Sequence, residues 1–170
     1  MAYRYAHARA AAPSAPATPP EIAAYLTAVR ESAGANAYAA LVGLRAFDTP
    51  ALHRTVEHGL AFAALLRLGR LMALPLATLG DVLKIPPRTL QRRKAKGRLG
   101  PDESDRLLRL TRLYGKALEL FEGDNPAALQ WLCTPLTALG GATPLALSTS
   151  EPGAQEVQRL IGRLEHGVTA

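Results

Sequence analysis

The chain of 170 residues predicts an all-α protein, and three observations carry that expectation. β-branched residues never alternate with polar ones over more than a few positions, so no strand has a pattern to rest on. Apolar residues instead recur at spacings of three and four in successive segments, the signature of helices with one buried face. Between those segments stand helix starts built from Ser, Thr or Asp with Pro, and stops built from Gly.

The elements follow in order. Residues 1–20 contain Arg4 and Arg9 and then an Ala/Pro run with Ser14 and Thr18. That run lacks the apolar centre of a secretory signal and reads as a disordered arm. Residues 21–33 carry Ile22, Tyr25, Leu26 and Val29 at helical spacing. Residues 34–50 are mixed: Tyr38, Leu41, Val42 and Leu44 suit a short helix, which Asp48-Thr49-Pro50 ends, or else starts another. From 60 to 74 the run Leu60, Phe62, Ala63, Leu65, Leu66, Leu68, Leu71, Met72 is apolar almost all round, predicting a buried helix. Leu76, Leu79, Val82 and Leu83 mark a shorter one, and Pro86-Pro87 lead into a basic helix that Gly97 closes.

Pro101-Asp102-Glu103 then open a long helix, since proline and acids are favoured in a first turn by geometry and by the helix dipole. Its face of Leu107, Leu110, Leu113 or Tyr114, Ala117, Leu118 and Phe121 runs to a stop at Gly123. Asp124 or Asn125 caps the next helix, over 126–132. Gly140-Gly141 suit a turn that needs positive φ. Thr143 reads as an N-cap with Pro144 behind it, and Ser150 as a second N-cap before Glu151-Pro152. The last helix carries Val157, Leu160, Ile161 and Leu164 as a stripe, with Glu156, Arg159, Arg163, Glu165 and His166 elsewhere on it and Gly167 as its stop. On pattern alone that stripe packs on the protein's own core; a partner surface is the alternative.

Composition narrows the chemistry. A single cysteine, Cys133, excludes an internal disulfide and a cysteine-rich zinc site. His7, His53, His58 and His166 show no ligand spacing, so neither a metal nor a cofactor is expected. No nucleophile is paired with a base, and Gly140-Gly141 lacks the strand and lysine of a phosphate-cradling loop; an enzyme is the weakest class. No apolar run approaches the roughly 20 residues that cross a bilayer, so the expected address is the cytoplasm. The net charge is +6 and the pI about 9.9. Lys84, Arg88, Arg92, Arg93, Lys94, Lys96 and Arg98 fall together without one intervening acid, while the rest of the chain is nearly balanced. Placement of charge, more than its total, points to nucleic acid.

That basic run sits on a helix-turn-helix pattern. Gly80 supplies the small residue where two helix axes cross, and Leu83, Ile85 and Leu90 supply apolar locks. Lys84 stands where such turns commonly hold glycine, and a left-handed lysine costs on the order of 1 kcal/mol. Residues 87–94 then form the recognition helix. Arg88, Gln91 and Arg92 have the chemistry for guanine and adenine edges. Thr89 suits a thymine methyl or a phosphate, and Arg93, Lys94, Lys96 and Arg98 suit phosphates. The competing reading is a solvated basic face or a contact with an acidic protein.

From residue 60 to 167 the wording resembles the Xre/MbcA/ParS family of antitoxins, partners of RES-domain toxins. The resemblance rests on Pro87-Arg88-Thr89-Leu90-Gln91-Arg92-Arg93, Leu99 with Glu103-Ser104-Asp105-Arg106-Leu107, and Ala117-Leu118-Glu119-Leu120-Phe121. It continues through Trp131-Leu132, Thr134-Pro135, Ala138-Leu139-Gly140-Gly141, Thr143-Pro144, and Gly153 with Val157, Leu160, Arg163, Leu164 and Gly167. Pro86 and Leu136 depart from the family's usual serine and asparagine; at residue 86 the change removes a helix cap worth about 1 kcal/mol.

The resemblance implies two roles, operator binding through the helix-turn-helix and inhibition of an NAD-consuming toxin through the C-terminal domain. The implied layout is an arm at 1–20, a helical DNA-binding region at 21–123 with the helix-turn-helix near 76–97, and a small helical toxin-binding domain at 124–170. Trp131, Leu139, Gly140, Gly141 and Pro144 are then its scaffold, and Val157, Leu160, Arg163, Leu164 and Gly167 its toxin-facing residues. The rival reading is a stand-alone dimeric repressor whose C-terminal domain only dimerises. Both imply a homodimer, since one short recognition helix makes few contacts; the segments 60–74 and 102–121 are the candidate interfaces.

Overall fold

A computed structural model describes residues 18–31, 34–45 and 48–167. Most of the expected arm, residues 1–17, lies outside them. The described residues form nine α-helices and two 3₁₀ turns: α1 (Pro20–Arg30), the turn Ala37–Val42, α2 (Thr49–His58), α3 (Phe62–Leu71), α4 (Leu76–Val82), α5 (Pro87–Lys96), α6 (Pro101–Leu120), α7 (Asn125–Cys133), the turn Thr137–Leu139, α8 (Pro144–Leu147) and α9 (Glu151–Glu165). Among them the extended pairing is one isolated antiparallel bridge, Ala61 with Arg98.

The axle is α6, about 30 Å long at 1.5 Å per residue. Leu107, Leu110, Leu113, Tyr114, Ala117 and Leu118 are fully enclosed, because α2, α7, α9 and the Ala37–Val42 turn pack around it. Its first turn is tied down by its own acid: the Gly100 N–H donates to Glu103 Oε2 at 2.6 Å. Two buried hydroxyls act as rivets. Ser104 Oγ accepts the Leu60 N–H at 2.8 Å and donates to the Gly100 carbonyl. Tyr114 donates to Asn125 Oδ1 at 2.7 Å, and Asn125 Nδ2 donates to the Leu71 carbonyl, so α3, α6 and α7 meet at one polar point. On the other side of α6, Tyr25 of α1 donates to Glu119. Burial raises the pKa of Tyr25, Tyr114 and Tyr38 above the ordinary tyrosine value.

One segment settles an alternative that the sequence left open, and a second differs from the sequence expectation. The mixed stretch before Pro50 resolves into a 3₁₀ turn with Ala39, Leu41 and Val42 buried, followed by a separate helix, α2. Asp48 caps α2 by accepting the Ala51 N–H at 2.8 Å. With Leu52 as its one fully buried residue, α2 carries too thin an apolar signal to be read from periodicity. The segment 60–74, expected to be buried all round, yields the shorter α3, whose outward side exposes Ala63 and leaves Leu66 39% exposed. The Ala37–Val42 turn and α4 cover α3, and their coverage leaves that side open.

Candidate functional site

The helix-turn-helix forms from α4 and α5. The turn is a Schellman closure: Ile85 N–H reaches the Gly80 carbonyl at 2.8 Å and Lys84 N–H the Asp81 carbonyl at 3.0 Å. Lys84 pays for it with φ 52°, the left-handed strain its side chain predicts. A Cβ built on Gly80 would lie 3.1 Å from Leu90 Cδ2, so the missing side chain is what lets α5 lie close to α4. Leu83, Ile85 and Leu90 are buried between them. No side chain caps α5, since its N-cap is Pro86.

With 3.6 residues per turn, Arg88, Arg92 and Ala95 share the face opposite Leu90, flanked by Gln91 and Lys96. Arg88, Gln91, Arg92, Lys94 and Lys96 are exposed and Thr89 is half-buried. Among the described residues none of these four cations has an ion-pair partner. The result is a helix about 15 Å long bearing unneutralised charge, of a size that enters a major groove about 12 Å wide.

Arg93 requires a correction. Its Nε lies 2.7 Å from Glu103 Oε2 and 3.0 Å from Oε1, with 23% of the Arg93 side chain and 8% of the Glu103 side chain exposed. A guanidinium so engaged is not free for a phosphate; it fastens α5 to the start of α6. Arg98 stays exposed, with its Nη1 donating to the Gly59 carbonyl at 2.8 Å beside the contact in which Phe62 N–H meets the Gly97 carbonyl. Arg106 Nε donates to the Leu83 carbonyl at 2.7 Å, closing the end of α4. Charge alone does not reveal a partner, so the sequence groups Arg93 with the phosphate ligands. Glu103, three residues after Gly100 in a helix start, was the readable hint.

The C-terminal helices are set by their caps. Thr143 accepts the Ala146 N–H at 3.1 Å and Ser150 the Gly153 N–H at 3.2 Å. A Cβ on Gly153 would lie 2.2 Å from the Leu147 carbonyl, so glycine permits the tight α8 to α9 corner. Gly140 and Gly141 are exposed with φ 65° and 83°, and Leu139, Pro144 and Trp131 are buried. Trp131 leans on Phe121 at 6.3 Å between ring centroids. Glu151 pairs with Arg109 at 2.9 Å, lashing the start of α9 to the first half of α6.

The α9 stripe divides. Val157, Leu160 and Ile161 are enclosed in the core. Val157 and Leu160, expected to face a partner, are therefore held by the protein itself, as self-packing of an amphipathic helix requires. Leu164 is 37% exposed and Gly167 exposed, while Arg163 is half-buried with Nη2 3.8 Å from Glu156.

Comparison with known proteins matches this architecture in order. The family described as the antitoxin Xre-like helix-turn-helix domain matches residues 51–112, and the antitoxin Xre/MbcA/ParS C-terminal toxin-binding domain matches residues 116–167. Antitoxin Xre of Yersinia enterocolitica is 38% identical over 128 residues, covering 75% of this chain and 86% of that protein. Antitoxin Xre of Photorhabdus laumondii is 41% identical over 95 residues, covering 54% and 64%. A protein of Sphingobium named Prs ADP-ribosylating antitoxin is 27% identical over 124 residues, covering 68% and 78%. With a helix-turn-helix and a toxin-binding domain wound on one shared helix, the chain belongs to the Xre family of antitoxins.

Proposed function

We propose that the chain inhibits an NAD-consuming RES-type toxin through its C-terminal helices and represses its own operon by seating α5 in the operator's major groove as a homodimer. The observation that carries the repression half is the acid-free outward face of α5, where Arg88, Gln91 and Arg92 stand ready for base edges and Lys94 and Lys96 for phosphates. Arg93 and Leu90 hold that face outward. The Prs ADP-ribosylating name of a relative supports the RES assignment, because ADP-ribosyl groups are drawn from NAD. Inhibition by occlusion asks no chemistry of the antitoxin.

Of the residues expected to face the toxin, Leu164 and Gly167 are exposed at the end of α9, Arg163 is held beside Glu156, and Val157 and Leu160 serve by building the helix's seat. For dimerisation, the outward side of α3 at Leu66 is the open apolar surface of the two segments considered, the apolar face of α6 being enclosed. The test is co-purification with the product of the adjacent gene, together with a mobility shift on the upstream DNA. A stable complex and a retarded operator are expected. A retarded operator with no complex would leave a repressor alone.

A further inference from the structure

Within the toxin-binding segment one long stretch carries no charge at all. Residues 125–150 contain no Asp, Glu, Lys, Arg or His, in a chain that is 20% charged. At that frequency about five charged residues would fall there, and depletion of charge is the compositional mark of an interface core. Burial does not account for it, since Pro126, Gln130, Cys133, Thr134, Pro135, Thr137, Ala138, Gly140, Gly141 and Ala146 are exposed.

The exposed part has a shape. The loop after α7 closes on itself, with Leu136 N–H on the Ala142 carbonyl at 3.1 Å and Gly141 N–H on the Leu136 carbonyl at 2.9 Å. Between that loop and α7 lies a cleft of about 260 Å³ lined by Phe121, Ala127, Gln130, Trp131, Thr134 and Leu136. The outward side of α9 is the opposite in character. Its charges pair among themselves, Arg159 with Glu156 at 3.0 Å and Arg163 with the same carboxylate, and desolvating such pairs is costly.

Resting on the toxin-binding reading above, we infer that the toxin docks on this uncharged face, with one apolar side chain seated in the Trp131 cleft. The occupant is the toxin because the whole face lies inside the segment matched by the toxin-binding domain. The matching toxin patch is neutral, and the hydrogen-bonded loop with Gly140 and Gly141 at its tip presents backbone rather than side chains to it.

The test is calorimetric titration of the full chain with the toxin encoded beside it, comparing wild type with Gln130→Glu and Ala138→Glu. Both positions are exposed, so melting temperatures are expected to match wild type while each affinity falls about tenfold or more. Arg159→Ala, on the rival surface, is expected to bind as wild type does. Loss of binding in Arg159→Ala with full binding in the other two would overturn the inference while leaving the toxin reading intact. Absence of binding by wild type would overturn the toxin reading, and this inference with it.

Discussion

At the scale of the residue, one helix holds basic side chains of three kinds, and the distinction is measurable in salt. Lys96 is exposed and unpaired, so Lys96→Ala should lower the slope of log affinity against log salt by about 0.9 per subunit. Arg92 faces outward at the recognition surface; Arg92→Ala should cost about 1–3 kcal/mol of operator binding and relax the base preference. Arg93→Ala should leave the salt slope unchanged and lower folding stability by on the order of 2 kcal/mol, because the buried Glu103 carboxylate loses its partner. Anisotropy titrations at several salt concentrations, with a urea melt of each variant, separate the three. Lys84→Gly relieves the left-handed strain at φ 52° and should raise stability by about 0.5–1 kcal/mol in the same melts.

At the scale of the element, α9 shows what periodicity tells and what it withholds. The stripe of Val157, Leu160 and Ile161 was legible, as were both caps at Thr143 and Ser150 and the stop at Gly167. Whether a stripe meets its own core or a partner was not, because both need the same spacing. The structure answers through burial, and so Leu160→Ala should cost about 2–5 kcal/mol, whereas Leu164→Ala should change stability by under about 0.5 kcal/mol. Thermal melts of the two variants give the comparison. The polar rivets on α6 were invisible for a different reason: Ser104 and Tyr114 act on residues 44 and 11 positions away, beyond any local pattern.

The tyrosines give a pH signature. Burial raises the pKa of Tyr25, Tyr38 and Tyr114 in the folded state, so above pH 10 the unfolded chain releases protons that the folded chain retains. Stability should therefore be intact below pH 10 from this source and fall above it, by up to about 1.4 kcal/mol per pH unit for each tyrosine. Tyr25→Phe should lessen that fall by one tyrosine's share in denaturant melts between pH 9.5 and 11.

At the scale of the whole molecule, α6 serves both halves. One cluster of buried residues runs from Ile22 through Leu90 and Leu118 to Ile161, and Glu151 grips Arg109 across the two matched segments. Calorimetry should accordingly show a single unfolding transition, and removal of residues 150–170 should unfold the chain by stripping Val157, Leu160 and Ile161 from the core. The all-α class, the helix-turn-helix and the order of its two parts were readable from spacing, caps and the acid-free basic run. The pairing of Arg93 with Glu103 was not, since the partner lies on another element. Silencing of a toxin by this molecule is read out by NAD consumption. The toxin encoded beside it is assayed against increasing amounts of the full chain. Turnover is expected to fall to zero as the chain saturates the toxin; undiminished turnover at saturating chain would rule out inhibition.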